Sequence, residues 1–172
     1  ASLSQCDIGI NGGRIVALGE NLGPGAKEID ATGKLVMPGG IDSHCHIDQR
    51  SSGGGRNSET FESGTRSAAC GGTTTIICFA AQEKGELLTP VVEEYHEKAK
   101  RSCVDYSFHL IISDPSDQVM NEEVPKLIES GHRSLKLFMT YPRNRLNDAE
   151  ILKVLEVAKL NKALVCVHAE NH

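Results

Sequence analysis

The 172 residues are 39% hydrophobic and 24% charged, with a formal net charge of −5, and suffice for one domain with a sizeable core or for a small domain plus part of another. That balance excludes the basic field a nucleic-acid binder needs, and no Lys/Arg cluster suggests a membrane surface. No apolar stretch approaches the roughly 18 residues of a transmembrane helix. Ala1 to Cys6 lack the basic start and apolar run of a signal peptide, so a cytoplasmic protein is the default expectation. Cys6, Cys45, Cys70, Cys78, Cys103 and Cys166 form no C-x-x-C pair and several lie in apolar runs, which reads as buried free thiols of a reduced compartment.

In chain order, Asp7–Ile10 and Arg14–Leu18 flank Asn11-Gly12-Gly13, a strong hairpin signal because Asn and Gly tolerate positive φ. A third short strand is expected at Lys27–Ile29. This segment, residues 1–36, is too small to close a core alone and is expected to pair with strands from elsewhere. From residue 37 to 172 apolar strands alternate with amphipathic helices. Strands are expected at Leu35–Ile47, Thr73–Ala80, Val104–Ile112, Ser134–Tyr141 and Ala163–His168, rich in Val, Ile, Thr and Phe as buried parallel strands tend to be. Between them, Thr89-Pro90 predicts a helix start, with Val91, Val92, Tyr95 and Ala99 on one face and Glu94–Lys98 and Glu97–Arg101 as i,i+4 pairs. Asn121 is expected to open a helix that Gly131 closes. Asn147 with Glu150 forms a capping-box-like start for a helix whose apolar face is Ile151, Leu152, Leu155 and Ala158. Strand then helix, repeated about every 30 residues, is the signature of βα units. Periodicity alone does not separate a (β/α)₈ barrel from an open doubly wound sheet. A barrel takes roughly 250 residues, so on the barrel reading this chain is incomplete.

Three places carry chemistry. In a strand, His44 and His46 point to one face while Cys45 points away, and the carboxyl end of a first barrel strand is where a catalytic metal belongs. His168 ends the apolar run Leu164–Val167, which puts it on the same rim, either as a ligand or bonded to a loop carbonyl. Lys136 sits inside Ser134-Leu135-Lys136-Leu137-Phe138, where burying an ammonium is costly. Either an acidic neighbour pairs with it, or it reacts with carbon dioxide to a carbamate, an anion with two oxygens able to bridge two metal ions.

Four motifs then occur in order: Pro38-Gly39-Gly40-Ile41-Asp42-Ser43-His44-Cys45-His46, Ser63 to Thr75 (SGTRSAACGGTTT), Ser134 to Tyr141 (SLKLFMTY) and Val167-His168-Ala169-Glu170-Asn171. Together they closely resemble the dihydropyrimidinase/D-hydantoinase branch of the amidohydrolase superfamily, over nearly the whole chain. The resemblance implies an α/β fold: the first five βα units of a (β/α)₈ TIM-type barrel, with residues 1–36 contributing strands to a small β-sandwich. It implies two zinc ions bridged by a carboxylated Lys136, with His44 and His46 on the more buried ion and His168 on the second. Tyr141 matches the tyrosine that stabilises the oxyanion. The family's remaining histidine ligand and its acid/base aspartate would lie beyond His172, so the segment alone is expected to be inactive.

The implied reaction opens a cyclic amide, a dihydropyrimidine or hydantoin, to an N-carbamoyl amino acid. The implied partners are that small molecule and further copies of the chain, a tetramer in the family. In dihydroorotases an arginine stands two residues after the second His; here it is Asp48, which disfavours that family. The glycine-rich loop Gln49–Asn57 matches a region that shapes the substituent pocket, or is simply a surface loop. Two rival readings are a non-catalytic scaffold of the collapsin-response-mediator type, which has lost metal ligands, and an allantoinase.

Overall fold

The computed structural model of the chain describes residues 4–50, 55 and 57–171, so residues 51–54 and 56 of the glycine-rich loop lie outside it. The chain divides into two units, Ala1–Pro38 and Gly39–His172. In the first unit, β1 (Asp7–Asn11) and β2 (Arg14–Gly19) form the expected antiparallel hairpin. Its turn places Gly12 and Gly13 at φ 56° and 74°, where a Cβ would be strained. The strand expected at Lys27–Ile29 does not form. Glu28 instead accepts the Gly25 N–H, and Ile29 is 81% exposed. Among the described residues no strand pairs with this segment, so its backbone has no ladder to join.

The second unit is a five-stranded parallel sheet in sequential order: β3 (Gly40–Asp42), β4 (Thr73–Ala81), β5 (Asp105–Ile111), β6 (Ser134–Phe138) and β7 (Leu164–His168). Helices α1 (Phe61–Cys70), α2 (Leu88–Ala99), α3 (Val124–Glu129) and α4 (Asp148–Leu160) fill the crossovers. This is the arc of successive βα units that builds a (β/α)₈ barrel. Side-chain parity sorts the sheet into two faces. Ile76, Cys78, Ala80, Phe108, Leu110, Leu135 and Leu137 pack against the helices in one apolar core with Phe61, Leu88, Val92, Val124 and Val154. The opposite face carries Phe79, His109, Lys136, Phe138 and His168 (Phe79 pairs with His109, and Phe138 with His168).

Several expectations need correction. The first strand is short: Leu35, Val36 and Met37 are 64–74% exposed, and pairing begins only at Gly40. A Cβ on Gly39 would sit 2.0 Å from Thr74 Oγ1, so only glycine admits the close approach of this segment to β4. The strand ends at Asp42 because the Asp42 carboxylate takes the His44 N–H at 3.1 Å in an Asx turn. β6 likewise stops at Phe138, leaving Tyr141 in a turn. On α4 the Asn147–Glu150 capping box forms, at 3.0 and 2.7 Å, but the buried face is Val154 and Ala158, while Leu152 is 60% exposed and Leu155 39%. Glu94–Lys98 pairs at 2.7 Å, whereas Glu97 meets Lys100 instead of Arg101, which approaches Glu62. The helix expected from Asn121 begins earlier: a turn capped by Ser116 runs through a π-helical stretch, Val119–Glu123, into α3. Gly131 does close α3, at φ 115°. His132 N–H reaches Leu127 O and Gly131 N–H reaches Ile128 O, the two bonds of a Schellman motif.

The N-terminus of α2 is not capped by Thr89. The buried Glu123 carboxylate accepts from Leu88 N at 2.7 Å and Thr89 N at 3.4 Å, meeting the positive end of the helix dipole. Glu123→Ala is therefore expected to lower stability in urea denaturation of the full-length protein by about 1–3 kcal/mol, and Glu123→Gln, which keeps one acceptor, by less. A loss below about 0.5 kcal/mol for the alanine variant, the range of an ordinary surface change, would refute that role.

His132 lies against His96, Nε2 to Nε2 at 3.2 Å, and burial followed by the neighbouring imidazole holds its pKa below the ordinary value. The unfolded chain takes up this proton at about pH 6.5 and the folded one only lower, so the stability His132 contributes is complete above that value and is lost as pH falls through the folded pKa. His132→Gln is expected to flatten the decline in stability between neutral and mildly acidic buffers. A variant with the wild-type pH slope would count against this account.

Candidate functional site

The H-x-H segment leaves β3 but stays seated on the sheet. Asp42 pairs with Ile76, and Cys45 N–H bonds Ile77 O at 3.4 Å, which sets Cys45 opposite Cys78. Ser43 and His44 on one side then span Ile77 alone on the other, a bulge of one residue. Cys45 Sγ lies 3.4 Å from Cys78 Sγ at the helix-facing core, and all six cysteines are free. The contact with Cys45 and burial push the Cys78 thiol up, so it stays protonated. On the other face both imidazoles rest on Phe79, with centroids 4.8 Å away for His44 and 4.7 Å for His46, and lie 5.5 Å from each other. His46 Nδ1–H donates to Gln49 Oε1 at 2.6 Å, which leaves the ring lone pair on Nε2. Asn57 holds the His46 carbonyl at 2.7 Å. Burial, then the fields of His46, Lys136 and His109, hold His44 below the ordinary imidazole range against the pull of Asp42, keeping it neutral at neutral pH. Neutral imidazole is the form that binds metal.

Lys136, Tyr141 and His168 gather around a second aromatic seat. Lys136 is 7% exposed, its Nζ lies 5.0 Å from the Phe138 ring centroid, and among the described residues no carboxylate forms an ion pair with it. The acidic neighbour that would make it an ordinary buried pair is thus not found among those residues. His168 stacks on Phe138 at 5.7 Å and lies 5.2 Å from Tyr141; its Nε2 bonds the exposed Glu170 at 2.8 Å. Tyr141 is 49% exposed at φ 65°, and its carbonyl accepts from Asn144 N and Arg145 N, each at 2.8 Å. Among the described residues no three His, Cys, Asp or Glu side chains converge closely enough to hold a metal by themselves. The five expected residues therefore fall into two neighbouring sets, linked by Lys136, whose charge reaches His44.

Sequence reasoning passed over His109. It is 8% exposed, its Nε2 lies 2.8 Å from Ser43 O and its Nδ1 2.6 Å from Ser134 Oγ. The only signal was a histidine inside an apolar strand. The rim above is cross-braced. Gln82, fully buried, accepts from Ser113 N and Asp114 N and donates to Glu86 O and Asp114 O. Asn144 Nδ2 donates to Ser113 Oγ at 2.9 Å. Glu83 bonds Arg143 and lies 3.8 Å from Arg50, and these guanidinium groups hold its carboxyl below the usual range, Arg143 foremost.

Residues 35–172 match the Amidohydrolase family. Among curated proteins, the chain is 42% identical over 171 residues to a D-hydantoinase of Ralstonia pickettii, covering 98% of this chain and 37% of that protein. It is 47% identical over 171 residues to a D-hydantoinase of Geobacillus stearothermophilus, covering 97% and 36%. Among solved structures, a D-hydantoinase superposes with a TM-score of 0.93 at 42% identity, over 99% of this chain and 37% of the other. The dihydropyrimidinase from Brevibacillus agri NCHU1002 gives 0.89 at 44% identity, over 97% and 37%. The chain thus spans little more than a third of the length of these relatives.

Proposed function

The chain belongs to the amidohydrolase family, in the dihydropyrimidinase/D-hydantoinase branch that its four ordered motifs resemble, and from that membership we propose that the protein carrying it hydrolyses a cyclic amide, a dihydropyrimidine or a hydantoin, to an N-carbamoyl amino acid. The observation that carries the reading is Lys136: a buried amine on the inward face, without a carboxylate partner among the described residues, whose charge is felt at His44. Its ammonium gives up one proton to become the neutral amine, whose Nζ bonds the carbon of carbon dioxide with loss of a second proton; the carbamate replaces the buried positive charge with an anion carrying two oxygen donors. With His44, His46 and His168 this is a nitrogen and oxygen donor set that suits zinc, and the carbamate would bridge two ions. When bound, the ions supply a hydroxide nucleophile near neutral pH and polarise the amide carbonyl.

The chain's own residues serve orientation and charge. Gln49 fixes the His46 tautomer, and Phe79 seats both imidazoles. Attack on the ring carbonyl carbon would place negative charge on the carbonyl oxygen, and the half-exposed Tyr141 hydroxyl would be the donor offered to it. As the ring C–N bond breaks, the leaving nitrogen would take the proton that the attacking water has given up, so that one water is consumed per ring opened. Assembly as a homo-oligomer and residence in the cytoplasm belong to the same proposal.

Measurements on the full-length protein test it. Purified protein is expected to carry about two zinc ions per chain, the count of a bridged two-metal site, and to turn over dihydrouracil or hydantoin in preference to allantoin. With ¹³C-bicarbonate it should show a carbamate carbon resonance that Lys136→Ala abolishes together with the zinc. Absence of both zinc and turnover would place the protein with non-catalytic scaffolds, and preference for allantoin would make it an allantoinase. Tyr141→Phe is expected to lower kcat by about 10²–10³ with zinc content unchanged. Near-wild-type kcat in that variant would remove Tyr141 from the oxyanion role.

A further inference from the structure

Building on the metal reading above, we propose that His109 is a positioning residue for the His44–His46 pair, locked into one tautomer by Ser134. The Ser43 carbonyl lies past the end of β3, outside its strand ladder, in the peptide that joins Ser43 to His44. A carbonyl can only accept, so His109 Nε2 carries the proton and donates across 2.8 Å. Nδ1 then holds the lone pair and accepts from the Ser134 hydroxyl at 2.6 Å. Ser134 opens β6 and His109 lies in β5, so one chain of side-chain bonds ties β6 through β5 to the bulge that presents the imidazoles. With Ser43 O fixed, the plane of the Ser43–His44 peptide is fixed, and with it the departure of the His44 side chain.

A second contact acts on the same pair. The His109 ring lies 4.9 Å from Phe79, the ring on which His44 and His46 both rest. His109 thus bears on the backbone before His44 and on the surface beneath both rings. Both of its nitrogens are engaged within the protein, which distinguishes it from a ligand. Partners that orient metal ligands typically contribute about 10–100-fold to metal affinity.

The test is the zinc affinity of the full-length protein, measured by chelator competition alongside the melting temperature of the metal-free form. His109→Ala is expected to loosen zinc by about 10-fold or more. His109→Gln, whose amide N–H can reach the Ser43 carbonyl, should recover part of that loss. Ser134→Ala releases the other tautomer and should also loosen zinc. Lowered melting temperatures with wild-type zinc affinity in all three variants would show a merely structural role and overturn the inference. If His109→Ala does not fold, Ser134→Ala decides, since it removes one hydroxyl: weaker zinc binding supports the inference and unchanged binding overturns it. Wild-type protein that takes up no zinc would overturn the metal reading itself, a result distinct from wild-type binding that the variants leave unchanged.

Discussion

A primary amine on the inward face of a parallel sheet, 7% exposed and over an aromatic ring, is the constraint around which the second unit is organised. Taking an ammonium out of water costs several kcal/mol, and an aromatic face returns only about 0.5–2 kcal/mol of it. Sheet parity allows Lys136 no other direction, because its neighbours Leu135 and Leu137 fill the helix-facing core. On the reading proposed above, that cost is met on the inward face by conversion of the amine to a carbamate. The anion so formed would be held by cations, and the histidines nearby are side chains that hold cations when neutral.

Register extends this logic across the sheet. Phe79 pairs with His109 on β4 and β5, and Phe138 with His168 on β6 and β7, so an aromatic ring and an imidazole alternate across the inward face. The rings seat the imidazoles by face or edge contact, stacked for His46 and His168 and edge-on for His44, without competing for their nitrogens. The bulge at Ser43–His44 lets a strand that has already ended keep Cys45 in the core while both flanking histidines reach Phe79. Without the extra residue, the chain past Asp42 would meet β4 one position out of step.

Much of this was readable from the residues. The H-x-H alternation, the amine misplaced in an apolar run and the asparagine capping box are local patterns, and local patterns survive folding. What escaped depends on distant groups. His109 looks like a histidine in an apolar strand until Ser43, 66 residues away, and Ser134 are beside it. Glu123 caps α2 from 35 residues away, so no window around Thr89 contains the capping group. Leu152 and Leu155 fit a helical apolar stripe as well as Val154 does, and only the position of the sheet decides which is covered. The stretch from Leu35 to Met37 is apolar enough for a strand, but pairing begins only at Gly40, just past Gly39, where β4 comes too close for a side chain.

The same kind of long-range bond fixes the turn that carries Tyr141, the residue proposed as the oxyanion donor. Tyr141 sits at φ 65°, a conformation costing a non-glycine residue about 1–2 kcal/mol, and would relax if its turn were loose. Asn144 and Arg145 N–H both close on its carbonyl, and the side chains of that turn reach other loops: Asn144 to Ser113 after β5, and Arg143 to Glu83 after β4. Gln82 joins those two loops from below through four backbone bonds. The loops after β4, β5 and β6 therefore brace one another, and distortion of one would disturb bonds in the other two. Exposed pairs contribute little to stability one by one. Their effect here is geometric: they hold the backbone of a strained residue beside His168.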